Sequence, residues 1–518
     1  GLMGNGNMFV MEAIGRQAKV IHVRHEHSAV SMADGYGRLT GRPGVALITN
    51  GPGFTQIMTA LAVAARAGSP IVVIAGDACQ DLPFHVHTID QAPLATAAGA
   101  AYIAVRSAER LPFDLARAFH MARSGSVPVV MGIPEDMQKV LAPARYEPSA
   151  RYAVAPQKPA ADPARITAIT ALLMQAKRPV VLAGRGVSKQ AAAVLSAIGD
   201  RIGALMTTSL LGKGPFRNHP FDIGVAGGLS SPLAKELLAQ ADLVLAVGAA
   251  LGHYTTEGGK LFAGAKTIQV SLDPEGLHEG VRTADLHVVG DAATVSGQIL
   301  AALPGQVAQG WRTEALGVQI AAHVADPAEF PIKPGELDPR SLMARIDAVI
   351  PKDWHIVCGV GHYFFFAMAG LSGRDPDRVT IISEFATIGS ALPIALAIAA
   401  ERQDGRVLMI DGDGSMMMHI QELETAQRNR IKLLMLVFND GAYGAELHKL
   451  RAQGLSVDAS VHGRCDLAGV ARAFGLQAAT LTALDGLESL MAEYLAGDGP
   501  ALWDAAVSDA VPAPQYRW

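Results

Sequence analysis

Short apolar runs alternate with helix-like segments along the whole chain of 518 residues, and this pattern constrains the fold more than any other feature. Typical runs are "GVALIT" (44–49), "RPVVLAGRG" (178–186) and "KLLMLVFND" (432–440). Because such runs are apolar on both sides, they are typical of parallel strands covered by helices on two faces. Two Pro-rich stretches, 141–164 and 326–339, divide the chain into thirds. The sequence therefore predicts an α/β protein with three doubly wound parallel-sheet domains.

The domain boundaries follow from those Pro-rich stretches. We predict a first domain over residues 1–150, a middle domain over 163–325 and a last domain over 338–518. The chain opens on the glycine-rich, turn-like "GLMGNGNMF" (1–9). We therefore expect that a helix and a strand of the first domain precede this numbering.

Composition excludes several classes of protein. The net charge of −5, without a basic stripe, argues against nucleic-acid binding. Cys79, Cys358 and Cys465 lie too far apart for a disulfide framework or a thiolate metal site, so we expect a cytoplasmic protein. No apolar stretch reaches the ~18–20 residues of a membrane helix; the longest candidate, "GSALPIALAIAA" (389–400), contains a proline. We expect neither a membrane nor a nucleic-acid partner.

Two acidic turns stand at the carboxyl ends of predicted strands in the last domain. "RVLMI" leads to Asp413, and "LLMLVF" leads to Asp440. Ligands of open parallel sheets bind beyond these strand ends, where two carboxylates repel each other unless a cation lies between them. Mg²⁺ prefers oxygen ligands and often shares them with phosphates, and Gly412, Gly414 and Gly441 allow close backbone approach. The pattern predicts a Mg²⁺–diphosphate site; a pair of Asp-Gly turns without a ligand is the alternative.

The order strand, "GDGS", helix, strand, "ND" resembles the diphosphate motif of thiamine-diphosphate-dependent enzymes, and the resemblance extends over essentially the whole chain. This family includes acetolactate synthase large subunits, benzoylformate decarboxylase, benzaldehyde lyase and pyruvate decarboxylase. The resemblance implies pyrimidine-binding, Rossmann-like middle and diphosphate-binding domains, in that order. It also implies thiamine diphosphate and Mg²⁺ as cofactors, with Asp413, Asp440 and the carbonyl of Ala442 as metal ligands. Many relatives carry Asn where this chain has Asp440.

Glu26 lies in "VIHVRHEHS" (20–28), where the sequence predicts a strand before it and a helix after it. The segment is similar to the one that carries the family's cofactor-activating glutamate. A carboxylate at N1′ of the aminopyrimidine favours the imino tautomer, which removes the thiazolium C2 proton. The resemblance therefore implies a catalytic role for Glu26. The alternative is a surface carboxylate between His25 and His27.

Further cofactor contacts are implied by the same resemblance. Ile388 stands where the family places the apolar residue that supports the bent cofactor, although a buried isoleucine is usually plain core. Gln56 stands where an asparagine is usual. The remaining implied contacts come from "TNGPGFTQ" (49–56), "CGVGHYF" (358–364) and the two metal turns: Gly51, Pro52, Gly53, Gly361, His362, Gly412, Gly414, Ser415, Gly441 and Tyr443.

Two polar residues are candidates for choosing the reaction outcome. Asn5 precedes Glu26 by 21 positions, a spacing at which relatives carry a polar or histidine active-site residue. Glu446 matches the position at which pyruvate-decarboxylase-like members hold an acidic residue near the substrate. The alternative for Glu446 is a solvated glutamate in the first turn of a helix.

Histidines supply the other candidates. Val86 and His87 stand where acetolactate synthases have Phe and Gln, which puts strict acetolactate synthesis in doubt. His85 and His87 would share one side of an extended segment; exposed loop histidines are the alternative. His253 is a candidate from the middle domain.

These features predict a lyase or transferase that acts on 2-oxo acids as a carboligase similar to acetolactate synthases. A simple 2-oxo acid decarboxylase is the alternative within the family, and a flavin- or nucleotide-binding oxidoreductase is the alternative outside it. The flavin-type "RFDDR" stretch is absent where "LGHYTTEGG" (251–259) stands, so we favour the absence of FAD over its presence. Because the family places its cofactor between chains, we expect at least a homodimer and favour a homotetramer.

Overall fold

The computed structural model describes residues 1–79, 85–141, 146–152, 157–278, 281–282, 284–305, 311–323 and 326–517. Their strands form three larger sheets and one small antiparallel pair. Within these ranges, no helix combines the length and the apolar character that crossing a bilayer requires.

The first sheet has four parallel strands in the order β1-β2-β4-β3. Its two central strands are buried along almost their whole length, as expected of strands covered on both faces. The elements of this region are β1 (Gly44–Ile48), β2 (Ile71–Asp77), β3 (Ala101–Ala104), β4 (Val129–Pro134), α1 (Met8–Gly15), α2 (Glu26–Thr40), α3 (Pro52–Thr55), α4 (Met58–Ala67), α5 (Gln91–Ala97) and α6 (Leu111–Gly125).

The second sheet has six parallel strands in the order β12-β9-β8-β5-β6-β7. Strands β10 and β11 form a separate antiparallel pair. The elements are β5 (Pro179–Ala183), β6 (Leu205–Thr208), β7 (Asp222–Val225), β8 (Leu243–Val247), β9 (Lys266–Ser271), β10 (Leu277–His278), β11 (Val281–Arg282), β12 (Leu286–Val289), α7 (Pro163–Gln175), α8 (Lys189–Ile202), α9 (Pro232–Ala239), α10 (His253–Thr256), α11 (Ala292–Ala302) and α12 (Glu314–Ala322).

The third sheet has six strands in the order β14-β13-β15-β16-β18-β17. Strands β15 and β16 lie at its centre, pair in parallel and are completely buried. The elements are β13 (His355–Cys358), β14 (Val379–Ile381), β15 (Val407–Gly412), β16 (Leu434–Asn439), β17 (Gln477–Leu481), β18 (Ala501–Ala506), α13 (Pro339–Val349), α14 (His362–Gly370), α15 (Ala391–Arg402), α16 (Asp413–Met418), α17 (Glu422–Arg428), α18 (Gly444–Ala452), α19 (Leu467–Ala473) and α20 (Leu487–Ala496).

These three parallel sheets confirm the predicted fold class. The chain forms two compact units. The first unit contains Gly1–Ala155, Ile332–Ala367 and Thr380–Val511, which include the first sheet and most of the third. The second unit contains Pro156–Pro331, Met368–Val379 and Pro512–Trp518. The domain limits at 150, 163, 325 and 338 stay predictions.

Helices α2 and α15 join the first and third sheets within the first unit. Every residue of α15 from Ala391 to Ala399 is buried. A Cβ on Gly35 would lie 2.7 Å from the carbonyl oxygen of Ile394, so glycine at this position lets the two helices approach closely. At one edge of the contact, the buried guanidinium of Arg38 lies 2.8 Å from Asp34 and 2.8 Å from Glu384. Apolar packing and paired charges together hold this interface.

Two local predictions are wrong. The sequence predicted one helix after the "GDGS" motif, but α16 and α17 are separate helices that begin at Asp413 and Glu422. The helix is interrupted at His419, whose ring stacks on that of His27 with 4.3 Å between centroids, so a tertiary contact overrides the local period. The strand predicted before Glu26 is also absent, because residues 20–23 contact Gly1 through single hydrogen bonds and not through a ladder.

Candidate active site

Asp413 and Asp440 meet at the carboxyl edge of the third sheet because β15 and β16 are neighbouring parallel strands in register. Asp413 accepts hydrogen bonds from the N–H groups of Gly414 and Gly441, both at 2.9 Å. The bond from Gly441 connects one acidic turn to the other. Gly441 has a positive φ of 72°, a conformation that favours glycine. Asp440 accepts a bond of 3.1 Å from the N–H of Ala442. The predicted convergence of the two turns is confirmed.

The electrostatics of this pair favour a bound cation. Burial, together with the charge of Asp440, raises the pKa of Asp413 to about 7, and burial raises the pKa of Asp440 to about 6. Among the described residues, no lysine or arginine side chain hydrogen-bonds to either carboxylate. His362 Nδ1 lies 3.8 Å from Asp440, but burial lowers the pKa of His362 to about 3, so this ring is uncharged at neutral pH.

The donor atoms at this edge are oxygens, which suits a hard divalent cation such as Mg²⁺. In the described ranges there is no group of three or more His, Cys, Asp and Glu side chains that could hold a metal. A metal here would therefore take two carboxylates from the chain, with backbone, cofactor or water oxygens completing its shell. That sharing is typical of Mg²⁺ bound with a phosphate. The residues fit a Mg²⁺–diphosphate group.

A cavity of about 70 Å³ lies over the two acidic turns. Most residues that the sequence predicted in this part of the chain line it. They are Gly361, His362, Ile388, Gly412, Asp413, Gly414, Ser415, Asp440, Ala442, Tyr443 and Glu446. Gly441 does not line the cavity, but its N–H donates a hydrogen bond to Asp413, which does. The loop that carries Ile388 is held by the N–H of Gly389, which donates to Ser415 Oγ at 2.8 Å.

Sequence reasoning missed several residues of this cavity. Tyr363 lines it, and its hydroxyl donates to Asp411 at 2.6 Å. Burial raises the pKa of Asp411 to about 6. Arg464 supports the second acidic turn from behind, because its guanidinium donates to the carbonyls of Asn439 at 3.0 Å and Val507 at 2.5 Å. The first aspartate of "IDGDG", Asp411, was visible in the sequence beside Asp413, whereas no sequence pattern connects Arg464 with residue 439.

Glu26 is the first residue of α2, next to the glycine-rich turn of the first sheet. Its Oε1 lies 3.0 Å from the place where a Cβ on Gly53 would stand, so the glycine leaves room for the carboxylate. Pro52 and Gln56 of the same turn are exposed. Glu26 makes no hydrogen bond or ion pair with the part of the chain that the structure describes. Its carboxylate is therefore available to an external partner.

Other predicted residues of the first domain surround the same turn. The carbonyl oxygen of His87 lies 2.5 Å from the place of a Cβ on Gly51. His85 and His87 do not lie on an extended segment as predicted: residues 85–88 form a turn closed by a bond from Thr88 N to His85 O. The two rings instead meet edge to face at 5.1 Å. Asn5 is exposed and donates to Glu135 at 3.4 Å.

The structure brings the predicted residues together in two separate groups. Among the described residues that line the cavity, all lie between Pro339 and Ser508, and none comes from the first sheet. Glu26, Gly51, Gly53 and His87 form the other group. His253 begins the one-turn helix α10 in the second unit, and its predicted role stays a prediction.

Comparison with known families agrees with this arrangement of sites. Residues 1–92 match the model described as "Thiamine pyrophosphate enzyme, N-terminal TPP binding domain", residues 166–303 match the central domain, and residues 359–505 match the C-terminal TPP binding domain. Together the three matches cover more than two thirds of the chain.

Individual relatives agree with the family models. The chain is 28% identical to acetolactate synthase isozyme 1 large subunit of Escherichia coli (strain K12), over 97% of this chain and 90% of the relative. It is 26% identical to the probable acetolactate synthase large subunit of Methanocaldococcus jannaschii, over 96% and 87%. It is 27% identical to the acetolactate synthase large subunit of Buchnera aphidicola subsp. Schizaphis graminum, over 86% and 79%. The chain therefore belongs to the family of thiamine pyrophosphate enzymes.

Proposed function

We propose that this chain is a thiamine-diphosphate- and Mg²⁺-dependent lyase or carboligase that acts on 2-oxo acids. The observation that carries the proposal is the pair of buried carboxylates, Asp413 and Asp440, tied together at one sheet edge without a paired lysine or arginine. A buried pair of like charges is costly unless a cation neutralises it. Membership of the family identifies the cofactor that this cation would hold.

The rim residues divide into metal and diphosphate ligands in this proposal. Asp413, Asp440 and the carbonyl of Ala442 hold Mg²⁺. The diphosphate lies against the other cavity residues, where glycines permit close backbone approach and His362 and Ser415 offer polar atoms. Ile388 lines the same cavity and supports the cofactor by apolar contact. The residues that face the diphosphate are Gly361, His362, Gly412, Gly414, Ser415 and Tyr443.

Glu26 holds a proton at the aminopyrimidine ring, and it does so from another chain. This follows because the cavity has no described lining residue from the first sheet, so its own chain leaves it without an activating carboxylate. The active form is at least a homodimer, and we favour a homotetramer. When bound, thiamine diphosphate would supply a nucleophilic carbon for the carbonyl group of the 2-oxo acid and a ring that accepts the electron pair left when CO₂ departs. Asn5, His85 and His87 accompany Glu26 as polar groups near the substrate.

Carboligation is the favoured outcome because the relatives named above are acetolactate synthases and match nearly the whole chain. The alternative is simple decarboxylation, which would require a group that protonates the product carbon. Glu446 is a candidate for that group, since it lines the cavity in the first turn of α18. Family membership favours both outcomes over a flavin-binding oxidoreductase.

A substrate screen tests the proposal. The full chain, loaded with thiamine diphosphate and Mg²⁺, is incubated with a panel of 2-oxo acids, with and without acceptor aldehydes. We expect release of CO₂ that depends on both cofactors, and a chiral 2-hydroxy ketone when an acceptor is present. Aldehyde as the sole product with every acceptor would identify a decarboxylase. An absence of CO₂ release across the panel, with the cofactor bound, would contradict the proposal.

A further inference from the structure

A second cleft opens at the carboxyl ends of β2 and β3 in the first sheet. We call it the β2–β3 cleft and define it by Asp77, Gln91, Tyr102, Arg106 and Arg117. Its volume of about 710 Å³ is in the range of small-molecule sites. None of the residues that the sequence predicted to bind cofactor or metal lines it. The position is one where open parallel sheets commonly bind ligands.

Two of the arginines in this cleft are available for an anion. Arg110, Asp114 and Arg117 are spaced so that they lie on one face at the start of α6. Arg110 is engaged, because its guanidinium lies 3.4 Å from Asp114. Arg106 and Arg117, in contrast, make no hydrogen bond or ion pair with the described part of the chain. Both side chains can therefore present their forked donors to a carboxylate or phosphate.

The nearby carboxylates have partners within the chain. Asp77 accepts from its neighbour Ala78 N at 2.8 Å and from the hydroxyl of Tyr102 at 3.1 Å. Asp90 caps α5 by accepting from Ala92 N at 3.3 Å. These acids are held by local hydrogen bonds and do not neutralise Arg106 or Arg117. The cleft thus carries both signs of charge, with the positive groups left free.

Gln91 provides an independent sign of a missing ligand. The residue is only 2% exposed, and its Nε2 donates to the carbonyl of Gly76 at 3.0 Å and to Tyr102 at 3.4 Å. Its Oε1 is buried and has no hydrogen-bond partner among the described residues. The amide cannot be turned round, because Oε1 would then face the Gly76 carbonyl, which only accepts. A buried acceptor without a donor is costly, so a ligand donor at this position would be favourable.

We propose that the β2–β3 cleft binds a small organic anion that carries its own N–H or O–H donor. The carboxylate or phosphate lies on Arg106 and Arg117, and the amino or hydroxyl group donates to Oε1 of Gln91. Amino acids, hydroxy acids and phosphorylated sugars share this chemistry. The site is separate from the metal rim and does not depend on which 2-oxo acid the enzyme uses.

Calorimetry on the full chain tests this site. The rim is first saturated with thiamine diphosphate and Mg²⁺, so that added anions cannot bind there. The probes are L-glutamate, L-malate, D-ribose 5-phosphate and inorganic sulfate, which has no proton to donate at neutral pH. We expect one of the three organic anions to bind with a Kd below about 1 mM. We expect the double variant Arg106→Gln/Arg117→Gln to weaken that binding at least about tenfold, because it loses charge-assisted bonds.

Matched variants separate the site from general electrostatics. Arg165→Gln removes an exposed arginine of α7 and should leave the affinity unchanged. Gln91→Leu should weaken the binding of the organic anion about tenfold and leave the affinity for sulfate unaffected, because only the donor contact is lost. If Gln91→Leu does not fold, the arginine variants decide the question.

Several results would overturn the proposal. These are the absence of any organic anion binding below about 1 mM, equal losses in the Arg165→Gln and double arginine variants, or unchanged affinity in the double variant. A dissociation of the oligomer by the double variant, with no ligand bound in the parent enzyme, would instead assign the cleft to a contact between chains.

Discussion

The third sheet carries its two acidic residues directly after paired central strands, whereas the first sheet presents Glu26 at the start of a helix that no strand precedes. The carboxylates of the third sheet are buried, hydrogen-bonded to backbone N–H groups and linked through Gly441. Glu26 touches the glycine turn but has no hydrogen-bond partner among the described residues. The third sheet assembles its site from its own strands, whereas the first sheet presents a single carboxylate that has no partner among the described residues.

The two regions share one compact unit, joined by α2 and α15, and yet they do not share the cavity. Two sheets can therefore pack into one compact unit while their functional groups stay in separate places. In the proposed function, the acidic rim lies within one chain, whereas the activating carboxylate comes from the first sheet of another chain. Separate variants of the two regions should consequently fail in different ways.

Glu26→Gln should have the largest effect. We expect kcat to fall by about 10²–10⁴-fold, because a positioned general acid–base group is lost. The Kd for thiamine diphosphate should change less than about threefold, since the variant keeps the side chain's size and removes only its charge. Steady-state kinetics and calorimetry measure the two quantities. Full turnover in this variant would contradict the role given to Glu26.

Asp413→Ala should impair cofactor binding at the acidic rim of the third sheet. We expect Mg²⁺-dependent retention of thiamine diphosphate to weaken at least about 100-fold, because even outer partners of metal ligands contribute 10–100-fold to affinity. Calorimetric titration of cofactor with and without Mg²⁺ measures this loss. Asp413→Asn is the matched variant, since it keeps an acceptor for the Gly441 N–H but removes the charge. Unchanged retention in both variants would count against a metal at the rim.

Mixing the two inactive variants sharpens the comparison further. A dimer of one Glu26→Gln chain and one Asp413→Ala chain has one site with an intact rim and an intact glutamate, if these come from different chains. Random exchange should then restore about a quarter of the parent activity, because half of the dimers are mixed and each has one intact site of two. Activity after co-refolding or co-expression is the measurement. Recovery of no activity, with mixed dimers present, would place both groups in one chain's site.

The contact between the two regions should also depend on pH. Burial lowers the pKa of His27 to about 3 and that of His419 to about 4, below the ordinary value of 6.5. The two rings stack on each other, and the ring centroid of His25 lies 5.3 Å from that of His419. The carboxylate of Glu422 is on the following helix, α17. Between about pH 4 and 6.5 these two histidines bind more protons in the unfolded chain than in the folded one. Their contribution to the free energy of unfolding therefore rises with pH in this window and is lost on acidification.

Each histidine contributes a slope of up to about 1.4 kcal/mol per pH unit to this dependence. Urea unfolding at several pH values and one protein concentration should show a smaller slope in the double variant His27→Gln/His419→Asn. His120→Gln, which changes an exposed histidine of α6, is the control and should keep the parent slope. Equal slopes in all three proteins would show that the stacked pair binds protons equally in the folded and the unfolded chain, which would contradict the lowered pKa values.

Glu446→Gln should have the smallest effect. Its side chain is 60% exposed and lies 3.6 Å from Lys449, so it does not shape the rim. We expect cofactor affinity to stay unchanged and the ratio of aldehyde to hydroxy ketone to shift by about two- to tenfold, less than for a buried catalytic acid. Chiral chromatography of the products provides the measurement. An unchanged ratio would leave Glu446 as a solvated helix residue.

Much of the fold and of the rim was predictable from local sequence. The three apolar runs quoted as typical strands contain β1, β5 and β16, because a segment that is apolar on both faces can be buried only inside a covered sheet. The convergence of Asp413 and Asp440 followed from the same rule, since neighbouring parallel strands end at one edge. Local patterns were less reliable where distant residues intervene, as at His419, where stacking on His27 divides a predicted helix.

The sequence by itself determined which residues stand at strand ends and which chemistry their side chains can perform, because these depend on local periodicity and residue type. Tertiary structure alone decided which of these residues meet. It separated Glu26 from the cavity and placed Arg464 behind the second acidic turn. It also left Oε1 of Gln91 without a donor among the described residues, in a cleft that arginines and aspartates line. Such contacts join residues far apart in the chain, and their geometry depends on how whole helices and sheets pack, which no local pattern encodes.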